Sequence, residues 1–78
     1  MTARRFHVVL EWDPGARVWV TFVPSLGPLS TYGETREEAL EQTREAILGY
    51  LEAASKEGLP APDASVEPEL VELEVATP

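Results

Sequence analysis

One helix start, within residues 33–39, constrains the fold of this chain more than any other part of its sequence. Thr35 is suited to the N-cap position, because its hydroxyl can accept a hydrogen bond from the backbone N–H of Glu38. The Glu38 carboxylate can accept in return from the Thr35 N–H, which completes a capping box. Gly58 and the prolines after it predict where the helix ends. Between these limits, apolar or small residues recur every three or four positions, as in a helix with one buried face: Ala39, Leu40, Thr43, Ala46, Ile47, Tyr50, Leu51 and Ala54.

Three strands are predicted before this helix. Residues 6–12 are rich in β-branched and aromatic side chains, which is typical of a strand. The Asp-Pro-Gly-Ala sequence at 13–16 predicts a tight turn in which Gly15 is free to take a positive φ. Residues 17–23 then return as an antiparallel strand, and residues 29–32 form a short third strand.

A fourth strand is predicted after the helix. Beyond a proline-rich connection, residues 66–75 alternate, with Val71, Leu73 and Val75 on one side and glutamates on the other. This alternation is typical of a strand with one buried and one wet face. The order β-β-β-α-β predicts a single α+β domain over residues 1–78, in two layers, with the helix covering one face of an antiparallel meander.

The two faces of this sheet are predicted to differ in what they contact. We assign seven apolar residues to the helix side: Phe6, Val8, Leu10, Trp12, Val18, Val20 and Phe22. The opposite face then carries Val9, Trp19 and Val23, which is more apolar than an ordinary solvated face. We therefore expect these three residues to bind a partner, most simply a second copy of the chain. The alternative is that Trp19 only lies flat over neighbouring side chains.

The charge of the chain is uneven. Its net charge is −8, and residues 34–78 contain twelve acids against three basic residues. An acidic surface repels phosphate backbones, so direct nucleic-acid binding is not expected. It can instead steer a basic protein, and Glu37, Glu41 and Glu45 on the helix are the candidates for that role. The alternative is that these acids only keep the protein soluble.

Few side chains of the kinds used in catalysis are present. The chain has no cysteine and His7 is its single histidine, so thiolate metal sites are excluded and any metal site would have to be built from carboxylates. The serines have no nucleophile-elbow context, and His7 is the only possible base for them. Its five glycines are scattered and form no phosphate-binding loop. We therefore expect no enzyme activity, no metal and no cofactor. A metal-dependent nuclease using Glu11 and Asp13 is the distant alternative.

Composition also predicts location and source. No run of about twenty apolar residues exists, so a membrane span is not expected. The start MTARRF lacks the apolar stretch of a signal peptide, which predicts a cytoplasmic protein. Heat-labile side chains are scarce: Asn and Cys are absent, Met occurs at position 1 alone, and Gln42 is the single glutamine. This scarcity is typical of thermophilic proteins.

Two segments together resemble the HicB-like antitoxin family. FHVVLEWDPGARVWVTFVPSLG is similar to the family's strand–turn–strand unit that ends in Val-Pro-x-Leu. YGETREEALEQTREAILGYLEA is similar to its Gly-Asp/Glu-Thr-x-Glu-Glu-Ala helix opening and its Glu-Ala-Ile-x-x-Tyr-Leu-Glu helix body. The resemblance covers roughly residues 5–75. It implies a truncated ribonuclease H-like fold in which the fourth strand runs parallel to the first, with sheet order 3-2-1-4.

The resemblance also implies a function. Family members typically block HicA, a small basic toxin that cuts messenger RNA. The first hypothesis is therefore an antitoxin-type binding module that neutralises a HicA-like toxin by protein contact, as a homodimer or higher oligomer. The second hypothesis is an orphan homodimeric interaction domain without a dedicated toxin. Many family members append a DNA-binding module, whereas this chain ends at Pro78, so no such domain is expected here.

Overall fold

Three antiparallel strands, a short 3-10 turn and one helix make up the regular structure of the described part of this chain. The computed structural model describes residues 4–27, 29–60 and 67–78. Along the chain the elements are β1 (Val9–Asp13), β2 (Val18–Phe22), a short 3-10 turn (Pro24–Leu26), β3 (Ser30–Gly33) and α1 (Arg36–Lys56). The strand order is β1-β2-β3. Within the described residues, β1 and β3 are therefore the edges of the sheet, and the fold is a small α+β structure.

The start of α1 confirms the predicted N-cap. Thr35 has extended backbone angles, and its Oγ1 accepts a hydrogen bond from the Glu38 N–H at 3.0 Å. Glu37 and Glu38 lie in the first turn, where their negative charge suits the positive end of the helix dipole. The return bond from the Thr35 N–H to the Glu38 carboxylate is not among the hydrogen bonds of the described residues, so the cap uses one half of the predicted box.

The end of α1 confirms the predicted stop at Gly58. Gly58 has a φ of +71°, the left-handed conformation that glycine adopts without a Cβ clash. Its N–H donates to the Ser55 carbonyl at 3.1 Å, and the Leu59 N–H donates to the Ala54 carbonyl at 2.9 Å. These two bonds form a Schellman motif, which satisfies carbonyls that the last turn of a helix leaves without partners.

The β1–β2 turn differs from its prediction in one angle. The Asp13 Oδ1 accepts from the N–H groups of Gly15 and Ala16 at 3.0 and 3.2 Å, and the Arg17 N–H donates to the Asp13 carbonyl at 2.7 Å. The positive φ, +58°, falls on Arg17 and not on Gly15, the residue that the sequence favoured for it. The reason is the length of the loop. Four residues separate Asp13 from Val18, and the reversal that redirects the chain into β2 occurs at the last of them.

The register of β1 and β2 decides which side chains face the helix. Leu10 lies opposite Thr21, and Trp12 lies opposite Trp19. Directly opposite side chains share a face of the sheet. Thr21 is fully buried and its hydroxyl contacts Thr43 of α1, so this shared face is the helix side.

The face assignment was therefore right for β1 and wrong for β2. Val18, Val20 and Phe22 alternate with Thr21 and lie on the face away from the helix. The residues expected on the outside, Trp19 and Val23, lie on the helix side, where Val23 is fully buried. Both sets along β2 are largely apolar, so alternation alone could not separate them. The hydrogen bond between Thr21 and the helix selects the face.

The core lies between α1 and the β2–β3 half of the sheet. Its buried apolar residues are Val23, Leu26 and Ala39. Gly33 brings β3 against the start of α1, because a Cβ built at Gly33 would stand 2.5 Å from the backbone nitrogen of Ala39. This close approach anchors the helix to β3 and leaves its later turns to extend beside β1.

The fourth strand is not seen in the described residues. Residues 67–78 have no strand structure and stay outside the sheet. Leu70 and Leu73 are 101% and 80% exposed. Residue 66, the first of the predicted strand, lies outside the described residues. In the described part of the chain, no helix combines the length and the apolar character needed to cross a bilayer.

Candidate interaction surface

An apolar face of the sheet is left open because α1 covers the other side. We call it the outer face and define it by five residues: Val9, Val18, Val20, Phe22 and Tyr32. Val9 pairs with Phe22 across β1 and β2, and Val20 pairs with Tyr32 across β2 and β3, so these side chains adjoin each other. Phe22 is 42% exposed and Tyr32 is 68% exposed. All three strands therefore contribute to one continuous apolar surface.

A shallow depression of about 280 Å³ lies beside Tyr32 on this surface. Val18, Val20 and Ser30 line it, together with Ala16 from the turn. The acids of this face, Glu11 and Asp13, lie on the edge strand β1. An apolar centre with charge at its rim is the usual arrangement of a protein-binding surface.

The predicted trio of Val9, Trp19 and Val23 does not share one surface. Val9 lies on the outer face as expected. Val23 is fully buried under α1, and Trp19 packs against Trp12 on the helix side, with their ring centroids 5.4 Å apart and the rings tilted by 58°. The residues that sequence reasoning missed are Phe22 and Tyr32. The signal that could have found them is Thr21, since a polar residue that bonds to the helix places its two strand neighbours on the opposite side.

The helix glutamates lie on a different surface from the outer face. Glu37, Glu41 and Glu45 are exposed on α1, which packs against the other side of the sheet. Glu41 pairs with Arg44 at 3.5 Å, but both side chains are mostly solvated, so this pair adds little stability. The acids that were expected to steer a partner therefore lie on a different surface from the apolar residues of the outer face.

A second apolar region lies where α1 passes beside β1. We call it the α1–β1 groove. It has a volume of about 520 Å³, and its lining is mainly apolar with an arginine from each side: Arg4, Phe6 and Val8 before β1, and Leu40, Thr43, Arg44, Ile47, Leu48 and Leu51 from α1. The groove exists because α1 packs on β2 and β3 and leaves the β1 side of the helix uncovered.

The polar side chains of the described residues are not grouped in a way that serves metal chemistry. No group of three or more His, Cys, Asp or Glu side chains in that part of the chain could hold a metal ion. Asp13, one half of the acidic pair considered above, uses Oδ1 to bind the backbone of the β1–β2 turn. His7 is exposed before β1.

Comparison with protein-family models, with curated proteins and with solved structures gave no match to this chain. Function is therefore inferred from the geometry and charge of the two surfaces just described, the outer face and the α1–β1 groove.

Proposed function

We propose that this chain is a HicB-like antitoxin-type binding module that neutralises a small basic, HicA-like toxin by protein contact. The observation that carries the proposal is the outer face, which leaves two aromatic side chains exposed on a three-stranded sheet. Large aromatic residues are the most frequent anchors of protein interfaces. The net charge of −8 supports a basic partner, because opposite charge accelerates encounter. The sequence resemblance over residues 5–75 supports the same class of partner.

In this proposal the two surfaces have separate roles. Phe22 and Tyr32 hold the toxin, and Val20 between them provides apolar contact. Glu37, Glu41 and Glu45 act at a distance by attracting a basic protein before contact. Their effect is therefore on the association rate, and it weakens as salt screens the charges.

The proposal includes a fourth strand beside β1, which gives the sheet order 3-2-1-4. Two observations support it. The outer edge of β1 has no partner strand in the described residues, and Val71, Leu73 and Val75 alternate with Glu72 and Glu74. A strand at this edge places its apolar side chains over the α1–β1 groove.

An orphan homodimer without a toxin is the second candidate. The observation that favours it is the distribution of charge on the outer face. Glu11 and Asp13 both lie on the edge strand β1, so two outer faces can meet over Val20 and Phe22 with these acids at the rim. Such a contact avoids placing like charges at its centre, where their repulsion costs most.

The test uses a matched pair of aromatic substitutions. Phe22 on the outer face and Tyr50 on α1 are both 42% exposed. A short basic open reading frame adjoining the gene is co-expressed with the chain, and growth and co-purification are measured. We expect the chain to rescue growth, Phe22→Ala to weaken the complex at least tenfold, and Tyr50→Ala to leave it nearly unchanged.

Two outcomes contradict the proposal. If both substitutions weaken the complex equally, the outer face is not the binding surface. If no adjoining basic protein is found and the chain purifies alone as a dimer that Phe22→Ala dissociates, the orphan homodimer is correct. A salt titration of the complex separates steering from contact, since screening lowers the association rate of a steered pair first.

A further inference from the structure

Two apolar surfaces of this chain remain exposed to solvent in a single molecule. One is the α1–β1 groove, in which Leu48 is 60% exposed although apolar residues surround it. The other is the segment of residues 70–75, which we call the C-terminal segment. Its alternating residues Val71, Leu73 and Val75 are between 61% and 80% exposed. Both surfaces expose apolar side chains, so contact between them would bury both sets.

We infer that the C-terminal segment of one copy occupies the α1–β1 groove of a second copy, and that this exchange is reciprocal, so that the chain forms a strand-exchanged dimer. The inference rests on the proposed fourth strand and does not depend on toxin binding. The occupant of each groove is therefore the C-terminal segment of the partner subunit.

The shape of the single chain supports a partner. Its radius of gyration is 15.1 Å, whereas about 11.5 Å is typical of a compact domain of this length. Its longest dimension is 51 Å. The described residues of the C-terminal segment lie outside the sheet, away from the groove of their own molecule. The apolar side chains of the segment are therefore exposed and available to another copy.

The exposed area is of the size that a stable dimer buries. The accessible surface is 6533 Å², whereas a compact monomer of this mass exposes about 4,700 Å². The excess is about 1,800 Å² per chain. Two chains together therefore carry an excess of about 3,600 Å², which lies within the roughly 2,000–5,000 Å² that obligate homodimer interfaces bury. An exchanged dimer of that class can cover the excess surface of both chains.

The connection between α1 and the C-terminal segment favours exchange over closure within one chain. Its sequence contains Pro60, Pro62 and Pro68. Prolines restrict the backbone to extended conformations, so a proline-rich connection acts as a semi-rigid spacer. A spacer of this composition opposes the reversal of direction that closure within one chain requires.

Charge and backbone hydrogen bonding agree with this arrangement. Glu67 and Glu69 share the side of the alternation that carries Val71 and Leu73, and arginines 4 and 44 line the groove. Within the described residues the outer edge of β1 has no partner strand, and an extended segment can add to the backbone N–H and C=O groups of such an edge as a strand. The segment therefore meets apolar, charged and backbone partners in the groove of its partner subunit.

Disulfide trapping tests the exchange directly, because the chain has no native cysteine. Two differently tagged single-cysteine chains are mixed and oxidised. One carries Leu48→Cys in the groove, and the other carries Leu73→Cys in the segment. We expect a covalent heterodimer. The matched control is Leu70→Cys, which stands on the opposite side of the alternation and should cross-link to Leu48→Cys at least tenfold more slowly.

A non-covalent measurement provides the second readout. Sedimentation of the full chain over a range of concentrations gives the dimer dissociation constant. We expect Leu73→Glu to raise it at least tenfold and Leu70→Glu to change it less than twofold. Leu48→Glu should also dissociate the dimer, and mixing it with Leu73→Glu should restore association, since that pair retains one intact groove and one intact segment.

Three results would overturn the exchange. The first is a full chain that stays monomeric at concentrations of hundreds of micromolar. The second is a Leu48→Cys, Leu73→Cys double variant that oxidises within one chain and remains a monomer at every concentration. The third is a dimer that Phe22→Ala dissociates and Leu73→Glu does not, which places the contact on the outer face. Toxin neutralisation is scored separately, so its failure leaves this test intact.

Discussion

Three threonine hydroxyls join three elements at the centre of this fold. Thr43 of α1 donates to the Ala39 carbonyl at 2.7 Å, and its Oγ1 lies 2.8 Å from the Oγ1 of Thr31. Thr21 of β2 contacts the same Thr43 oxygen. Because each hydroxyl has one proton and two lone pairs, Thr43 can donate to the helix and accept from both strands. The Oγ1 of Thr43 therefore links α1 to both β2 and β3.

Thr43→Val is expected to lower the free energy of unfolding by about 1–2 kcal/mol, because the hydroxyls of Thr21 and Thr31 lose a buried acceptor. Urea unfolding checks this value. Thr43→Ser is the control, since it retains the hydroxyl and should cost less than Thr43→Val. If the valine variant is as stable as the original chain, the hydroxyl contact contributes nothing, and packing alone positions the helix.

At the level of single residues, the features that were predicted correctly depend on residues close by in the sequence. Thr35 was identified as the N-cap because its hydrogen-bond partner lies three residues away. The face of Phe22 was predicted wrongly, because it depends on Thr43, which is more than twenty residues away in the sequence. The positive φ of Arg17 was missed for a related reason. Gly15 is the better left-handed residue, but the geometry of the whole loop places the reversal elsewhere.

The helix and β3 approach more closely than side chains permit at one point. A Cβ at Gly33 would meet the Ala39 nitrogen, the Ala39 Cα and the Glu38 carbonyl carbon, all within 2.9 Å. These are backbone atoms of the first turn of α1, which cannot move aside as a flexible side chain can. Contact between the two elements therefore requires glycine at this position.

Gly33→Ala is expected to destabilise the chain by about 1–3 kcal/mol, the usual range for overpacking. Gly49→Ala is the matched control. A Cβ at Gly49 meets nothing within 4 Å, and alanine has the higher helix propensity, so this change should stabilise α1 by up to about 1 kcal/mol. Thermal unfolding of both variants shows whether each substitution lowers or raises the stability of the chain. Equal effects on stability would contradict the close approach.

At the level of elements, the helix was predicted more completely than the strands. Its start and end have local signals in Thr35 and Gly58, and both are confirmed. The three strands and their antiparallel order are also confirmed, with bounds shifted by a few residues. Neither face of β2 is clearly polar, so its orientation could not be predicted. The fourth strand needs a partner for its backbone, and no local pattern states whether that partner lies in the same chain.

The whole molecule has little core to stabilise it alone. Three apolar side chains are buried in the described residues, Val23, Leu26 and Ala39. Burial of a valine or leucine side chain contributes about 1.5–3 kcal/mol. The exposed side chains of the C-terminal segment therefore represent a reserve of stability comparable to the core itself, and association with a second copy would realise it.

Folding is accordingly expected to depend on protein concentration. If the dimer unfolds to two free chains, each tenfold rise in concentration should raise the Tm by about 4 °C. Scanning calorimetry of the full chain over two decades of concentration measures this slope. Leu73→Glu should flatten it, and Leu70→Glu should not. A concentration-independent Tm for the unsubstituted chain would show that each molecule folds alone.

The division of the sheet into a helix side and an outer face has a consequence for how such a protein can change over time. The residues that hold the fold together, such as Thr21 and Val23, point towards α1. Phe22 lies between these two residues in the sequence and Tyr32 lies on the neighbouring strand β3, and both side chains remain exposed. Substitutions at these two positions can therefore alter partner choice at little cost to folding. Successive residues of one strand can therefore be under different selective pressures. The outer face can then change in sequence while the fold is retained.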